Sequence, residues 1–201
     1  HFEAMPYAEA PSLIDRLVSE PTVSRDALRL LIYTAARSNE IRKATWPEFD
    51  LDAGVWSIPA ERMKARVAHT VPLSVPAVAL LKTYWRARRG DDALVFSIGG
   101  KKPLSDMTLS KLLKALNVGS YTVHGFRSSF TDWAAERTRF PKEVADKALA
   151  HRIPDQVEAA YRRTDFFEKR GKLMTAWANY LHGQSSTKPS IRASNSRARK
   201  K

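Results

Sequence analysis

The chain has 201 residues, 43% of them hydrophobic, no cysteine and a net charge of +13. That length and apolar content suffice for one sizeable core, the missing cysteines exclude disulfides and cysteine metal sites, and no apolar run nears the roughly 20 residues of a membrane helix. The basic excess points to a polyanionic partner, nucleic acid first, with a merely solvated basic surface as the bland alternative.

Residues 1–11, with Pro6 and Pro11, read as a linker. The start at His1 instead of methionine reads as a piece of a longer protein. Pro11-Ser12 opens a short helix through Leu13, Ile14, Leu17 and Val18. Ser24 is the expected cap of a second helix containing Leu28, Leu30, Leu31, Ile32 and Tyr33. A short helix follows Arg37, around Glu40 to Ala44. Asp50 to Gly54 is turn chemistry, and Val55 to Ile58 is strand-like. Met63 to Ala68 forms a second turn leading into His69 to Leu73, and Leu94-Val95-Phe96 is the candidate third strand.

Helices are expected over 74–89, 105–116, 125–136, 141–150, 155–162 and 166–181. The last carries Phe166, Phe167, Leu173, Met174, Trp177, Tyr180 and Leu181 on one face. Residues 184–201 hold six Lys/Arg, no acids and many serines, which predicts a disordered basic tail. Removing these six charges from +13 leaves +7, so the folded part stays basic. The whole reads as an α+β domain over 12–183, mostly helical, with a small three-stranded antiparallel sheet at one edge. There is no internal repeat.

Six positions carry the chemistry: Arg37, Lys64, His124, Arg127, His151 and Tyr161. His124-Gly125-Phe126-Arg127 sets an imidazole and a guanidinium three residues apart, on one side of a helical turn. Phe126, Phe130 and Trp133 fall on the other face and are expected in the core. Two arginines, two histidines and a lysine around a tyrosine suit attack on a phosphodiester. Arginines fork onto nonbridging oxygens, a lysine or histidine protonates the leaving oxygen, and a tyrosine can form a covalent phosphoryl bond. With arginines stabilising the charge, no metal need be invoked. His1, His69 and His182 show no ligand spacing.

The stretches Thr34-Ala35-Ala36-Arg37-Ser38-Asn39-Glu40-Ile41, Ile58-Pro59-Ala60-Glu61-Arg62-Met63-Lys64 and Val71-Pro72-Leu73-Ser74 occur in order with Thr122 to Phe130, Leu149-Ala150-His151 and Ala160-Tyr161-Arg162-Arg163-Thr164-Asp165. Together they resemble the catalytic domain of the tyrosine recombinases, in the branch of prophage and genomic-island integrases. The resemblance runs from about Met5 to Leu181 and implies that fold. It departs at Ala35, where the family usually has glycine.

The resemblance implies a role for each position. Arg37 and Arg127 hold the nonbridging oxygens, Lys64 is the general acid for the 5′ oxygen, and His124 helps move the tyrosine proton or position the phosphate. His151 donates to a nonbridging oxygen, Glu40 orients Arg37 or a histidine, and Tyr161 is the nucleophile. Arg62 and Arg66 are expected on phosphates, and Arg162 and Arg163 are expected to draw phosphate in and favour the phenolate.

The implied activity is strand exchange through a 3′-phosphotyrosyl bond that integrates or excises a mobile element, without cofactor. Residues 1–11 then lead from an amino-terminal DNA-binding region. The implied partners are double-stranded DNA attachment sites, a homotetramer on DNA, integration host factor and an excisionase, with no membrane, in the bacterial cytoplasm at the nucleoid. A type IB topoisomerase and an inactive DNA-binding module stand as alternatives.

Overall fold

The structure, a computed structural model, describes residues 3–98, 102–151 and 165–183. Besides three short 3-10 turns, eight α-helices and three strands follow in chain order among these residues. They are α1 (Ala10–Ser19), α2 (Val23–Thr34), α3 (Ser38–Arg42), β1 (Phe49–Asp50), β2 (Val55–Ile58), β3 (His69–Pro72), α4 (Val75–Arg86), α5 (Thr108–Ala115), α6 (Gly125–Arg137), α7 (Lys142–Ala148) and α8 (Phe167–Leu181). The expected helix over 155–162 and the basic tail over 184–201 lie outside the described residues.

Helix α2 is the central rod. Ala27, Leu28, Leu30, Leu31, Ile32 and Tyr33 are all buried, and the helix packs on α1, α4, α5 and α8. From Asp26 to Thr34 every residue but Arg29 is buried, so the other helices enclose it. Its cap is Thr22, whose Oγ1 accepts from the Arg25 amide at 3.2 Å, and not Ser24 as expected. Ser24 lies inside the first turn. Helix α8 packs its apolar face on the chain's own core: Leu173, Met174, Trp177 and Leu181 are buried. The Trp177 ring stacks on Tyr180 and tilts against Trp133, and its Nε1 donates to the Ile32 carbonyl at 2.8 Å. Phe126, Phe130 and Trp133 are core, as their helix face requires.

The sheet has three antiparallel strands in the order β1-β2-β3, with Trp56 opposite Phe49 on one side and Val71 on the other. The third strand is Phe49–Asp50 and not Leu94 to Phe96. Leu94 makes one bridge to Thr45, while Val95 donates to the Ala44 carbonyl and buries with Phe96. That apolar triplet is a plug under α4 and not a ladder.

The expected linker over 1–11 is corrected from Glu3 onward, because this stretch is docked on the domain. Met5 and Ala10 are buried, and Ala10 already belongs to α1. The Glu3 carbonyl accepts from the Thr122 amide at 2.9 Å, and Ser129 Oγ donates to the Met5 carbonyl. Gly125 permits this crossing. A Cβ there would press on the Glu3 carbonyl and lie 2.8 Å from Ala4 Cα, so the amino-terminal strap and the start of α6 meet backbone to backbone.

Candidate active site

The site is built around helix ends. The last carbonyls of a helix have no intrahelical donor, and α2 and α7 both end toward Arg127. Its Nη1 donates to the Ala35 carbonyl and its Nη2 to the Leu149 carbonyl, each at 2.7 Å. The residue is 5% exposed. A cation at two helix C-termini is held by both dipoles. These bonds use two of the five donors in the guanidinium fork. Burial and the neighbouring Arg37 lower the Arg127 pKa to about 10, opposed by Glu40, so it stays charged at neutral pH.

Ala35 sits in the left-handed region at φ 50°, ends α2, and aims its carbonyl at Arg127. The chain then straightens, so Arg37 caps α3 in an extended conformation. The Glu40 carboxylate takes both the Arg37 amide at 2.7 Å and the Arg37 Nη1 at 2.9 Å. Glu40 therefore orients Arg37 and also occupies its backbone amide.

Helix α7 closes in a Schellman motif. The His151 amide reaches the Asp146 carbonyl at 2.9 Å, the Ala150 amide reaches Lys147 at 3.2 Å, and Ala150 is left-handed at φ 49°. This turn places His151 beside Arg127. His151 Nδ1 lies 3.3 Å from Asp146 Oδ1, so Nδ1–H donates there and Nε2 is the nitrogen left for substrate. His124 precedes α6 and is exposed at its start. Burial lowers its pKa first, and the charges of Arg127, Arg37, His151 and Lys64 lower it further. The His151 pKa is also lowered, first by burial, then against Asp146 by Arg127 and Arg37. Arg37, Lys64, Arg127 and His151 thus all lie close enough for their charges to act on His124. A bound oxyanion would offset that positive field.

Lys64 is exposed in the β2–β3 connection and borders an open groove with Arg37, Asn39, Glu40 and Arg66. The Arg66 amide bonds the Met63 carbonyl at 3.0 Å, and Arg66 adopts φ 55°, which tightens the turn. The phosphate expectation for Arg62 is corrected. Its Nη1 pairs with Glu48 and its Nη2 donates to the Glu40 carbonyl at 2.6 Å. Buried Glu48 also accepts from Trp56 Nε1 at 2.9 Å and from Thr45. Arg62 is thus a brace between the Lys64 turn and α3.

Tyr161, Arg162 and Arg163 lie outside the described residues. The other five tyrosines have partners away from the cluster. Tyr7 donates to Glu136 at 2.6 Å, Tyr84 to Asp26 at 2.8 Å and Tyr121 to Glu9 at 3.4 Å. Tyr33 meets His182 Nε2 at 2.9 Å, and the Tyr180 hydroxyl reaches the Tyr7 carbonyl at 3.5 Å. The phenol pKa is raised at Tyr7 by Glu136, at Tyr33 and Tyr84 by burial, and at Tyr121 by burial and Glu9. Two nearby residues had no sequence signal as site neighbours, His69 and Arg170. His69 Nε2 meets the Ala148 carbonyl at 3.2 Å, and Arg170 binds the Thr70 carbonyl and Asp165.

A model of the phage integrase family matches residues 3–168. The prophage integrase IntA of Escherichia coli strain K12 is 36% identical over 152 residues, covering 75% of this chain and 37% of that protein. The integrase of Enterobacteria phage P4 is 31% identical over 201 residues, covering 90% of this chain and 46% of that protein. The prophage integrase IntZ of the same Escherichia coli strain is 34% identical over 186 residues, covering 90% and 45%. The chain thus spans less than half the length of these relatives. The crystal structure of XerA recombinase shares the fold, with a TM-score of 0.60 at 14% identity over 94% of this chain and 66% of that one.

Two outcomes are expected. Replacing Arg62 by Ala leaves buried Glu48 without its cation and should cost about 3 kcal/mol in urea unfolding, with no change in the salt slope of DNA binding. A slope reduced by about one would restore Arg62 to the phosphate contacts. The second outcome concerns pH. Burial first, then Arg170, lowers the His69 pKa from 6.5 to about 4. The unfolded chain therefore binds more protons in that window, so stability is full above the unfolded value and falls as pH drops through it. Between pH 6.5 and 5, His69→Gln should remove at most about 2 kcal/mol of this loss, measured as unfolding free energy against pH. An unchanged slope would refute it.

Proposed function

Because the chain belongs to the phage integrase family, we propose that it is the catalytic domain of a site-specific DNA recombinase that integrates or excises a mobile element. The observation that carries this reading is the convergence of Arg37, Lys64, His124, Arg127 and His151 around the ends of α2 and α7. Cationic or proton-donating side chains whose charges all reach His124 suit a phosphodiester whose negative charge grows during attack.

Tyr161 is the nucleophile in this proposal. Its oxygen attacks phosphorus, the phenolic proton passes to His124, and the P–O5′ bond breaks. Lys64 protonates the departing 5′ oxygen. The product is a 3′-phosphotyrosyl bond that keeps the energy of the cut strand, so a 5′ hydroxyl from a partner strand can reverse the step without a cofactor. Arg127, Arg37 and His151 Nε2 hold the nonbridging oxygens, and Glu40 keeps the Arg37 fork aimed. Arg66 and, from the sequence, Arg162 and Arg163 contact flanking phosphates. The engagement of the other five tyrosines supports Tyr161 by elimination.

The whole recombinase acts in this proposal as a homotetramer on paired double-stranded attachment sites at the nucleoid. Integration host factor and an excisionase are the accessory proteins that set direction. Among the described residues no helix is long and apolar enough to cross a membrane.

The test is covalent trapping on nicked duplex DNA from the junction of the element. A protein–DNA band that survives detergent should form with the unchanged chain and with Tyr180→Phe, and vanish with Tyr161→Phe. A band lost with Tyr180→Phe and kept with Tyr161→Phe would contradict the assignment.

A further inference from the structure

Consecutive residues of β3 touch the chain on either side of the stretch that carries Tyr161. Before that stretch, His69 Nε2 meets the Ala148 carbonyl at the end of α7, 3.2 Å away. A carbonyl only accepts, so Nε2 carries the proton. After it, the Thr70 carbonyl takes Arg170 Nη1 at 2.5 Å. Arg170 in turn holds Asp165 twice, through Nε to its carbonyl at 2.7 Å and through Nη2 to Oδ2 at 2.8 Å. Asp165 Oδ1 also accepts the Phe167 amide at 3.0 Å, which fixes the start of α8.

The Arg170 side chain is 2% exposed, while Asp165 is 65% exposed. Burying a guanidinium is costly, and an exposed carboxylate returns little of that cost. An apolar residue would fill this place more cheaply if packing were the whole requirement. What the fork provides is a rigid three-point tie between β3 and Asp165. The same strand continues backward into the turn of Lys64.

We infer that β3 is a common anchor for the chain on both sides of residues 152–164, with His69 and Arg170 as positioning residues for attack by Tyr161. The inference rests on the recombinase reading above. It predicts that loosening either tie harms attack by the tyrosine without harming activation of the phosphate.

The two are separable by supplying a small nucleophile. In a Tyr161→Phe background, hydrogen peroxide can attack the phosphate held by Arg37 and Arg127. The peroxide oxygen bonds to phosphorus, the P–O5′ bond breaks, and the 5′ oxygen leaves with a proton. On nicked junction DNA, His69→Ala and Arg170→Lys should each lower the rate of the Tyr161 adduct about 100-fold, as expected for a nucleophile misplaced by about 1 Å. Each should keep peroxide-supported cleavage within about twofold in the Tyr161→Phe background. His69→Gln, which retains a donor, should recover most of the adduct. An unchanged adduct rate, or equal loss of both reactions in both variants, would overturn the anchor. Failure of the unchanged chain in the adduct reaction and of Tyr161→Phe in the peroxide reaction would instead sink the recombinase reading, and the anchor with it.

Discussion

The rest of the structure depends on one buried cation between two helix ends. Arg127 takes the Ala35 carbonyl from α2 and the Leu149 carbonyl from α7. Each helix would otherwise finish with unpaired acceptors in the interior, at a cost of about 1–3 kcal/mol per group. The guanidinium satisfies both and brings the two ends together. Everything placed just beyond those ends then falls within reach of everything else. Arg37 follows α2, His151 follows α7, and His124 lies one helical turn before Arg127 itself. Assembly of the site and closure of the fold are therefore one event.

A layer of buried polar contacts keeps these groups aimed. Glu40 turns Arg37, and its own backbone is held by Arg62. Glu48 gathers Arg62, Trp56 and Thr45 below the Lys64 turn. Each carboxylate is buried and paired, so the charges cannot relax away when no phosphate is present. Such a site carries its positive field in advance, which is what a developing oxyanion needs. The lowered pKa of His124 and of His151 records that field, behind the larger effect of burial.

Much of this was legible in the sequence, for physical reasons. Long apolar periodicities reported α2, α4, α6 and α8, and the spacing of His124 to Arg127 reported their shared side. What escaped lacked a local pattern. Phe49–Asp50 is too short for alternation to show, whereas Leu94-Val95-Phe96 looks like a strand only because it is apolar. Residues 3–11 carry the linker-like Pro6 and Pro11, yet their docking is decided by the missing side chain of Gly125, far along the chain. Arg62 and Arg66 are alike in a basic turn until Glu48 arrives from another element. Likewise, His69 and Arg170 acquire meaning only where β3, α7 and α8 meet.

The most direct test of the account is Arg127→Lys, measured as the rate of covalent adduct formation on nicked junction DNA beside a thermal melt. A lysine keeps the charge but cannot span both carbonyls and fork onto a phosphate. The account predicts a folded protein with a lower melting temperature and an adduct rate reduced about 100-fold or more. An adduct rate equal to that of the unchanged chain would show that the double helix-end tie is not what organises the site.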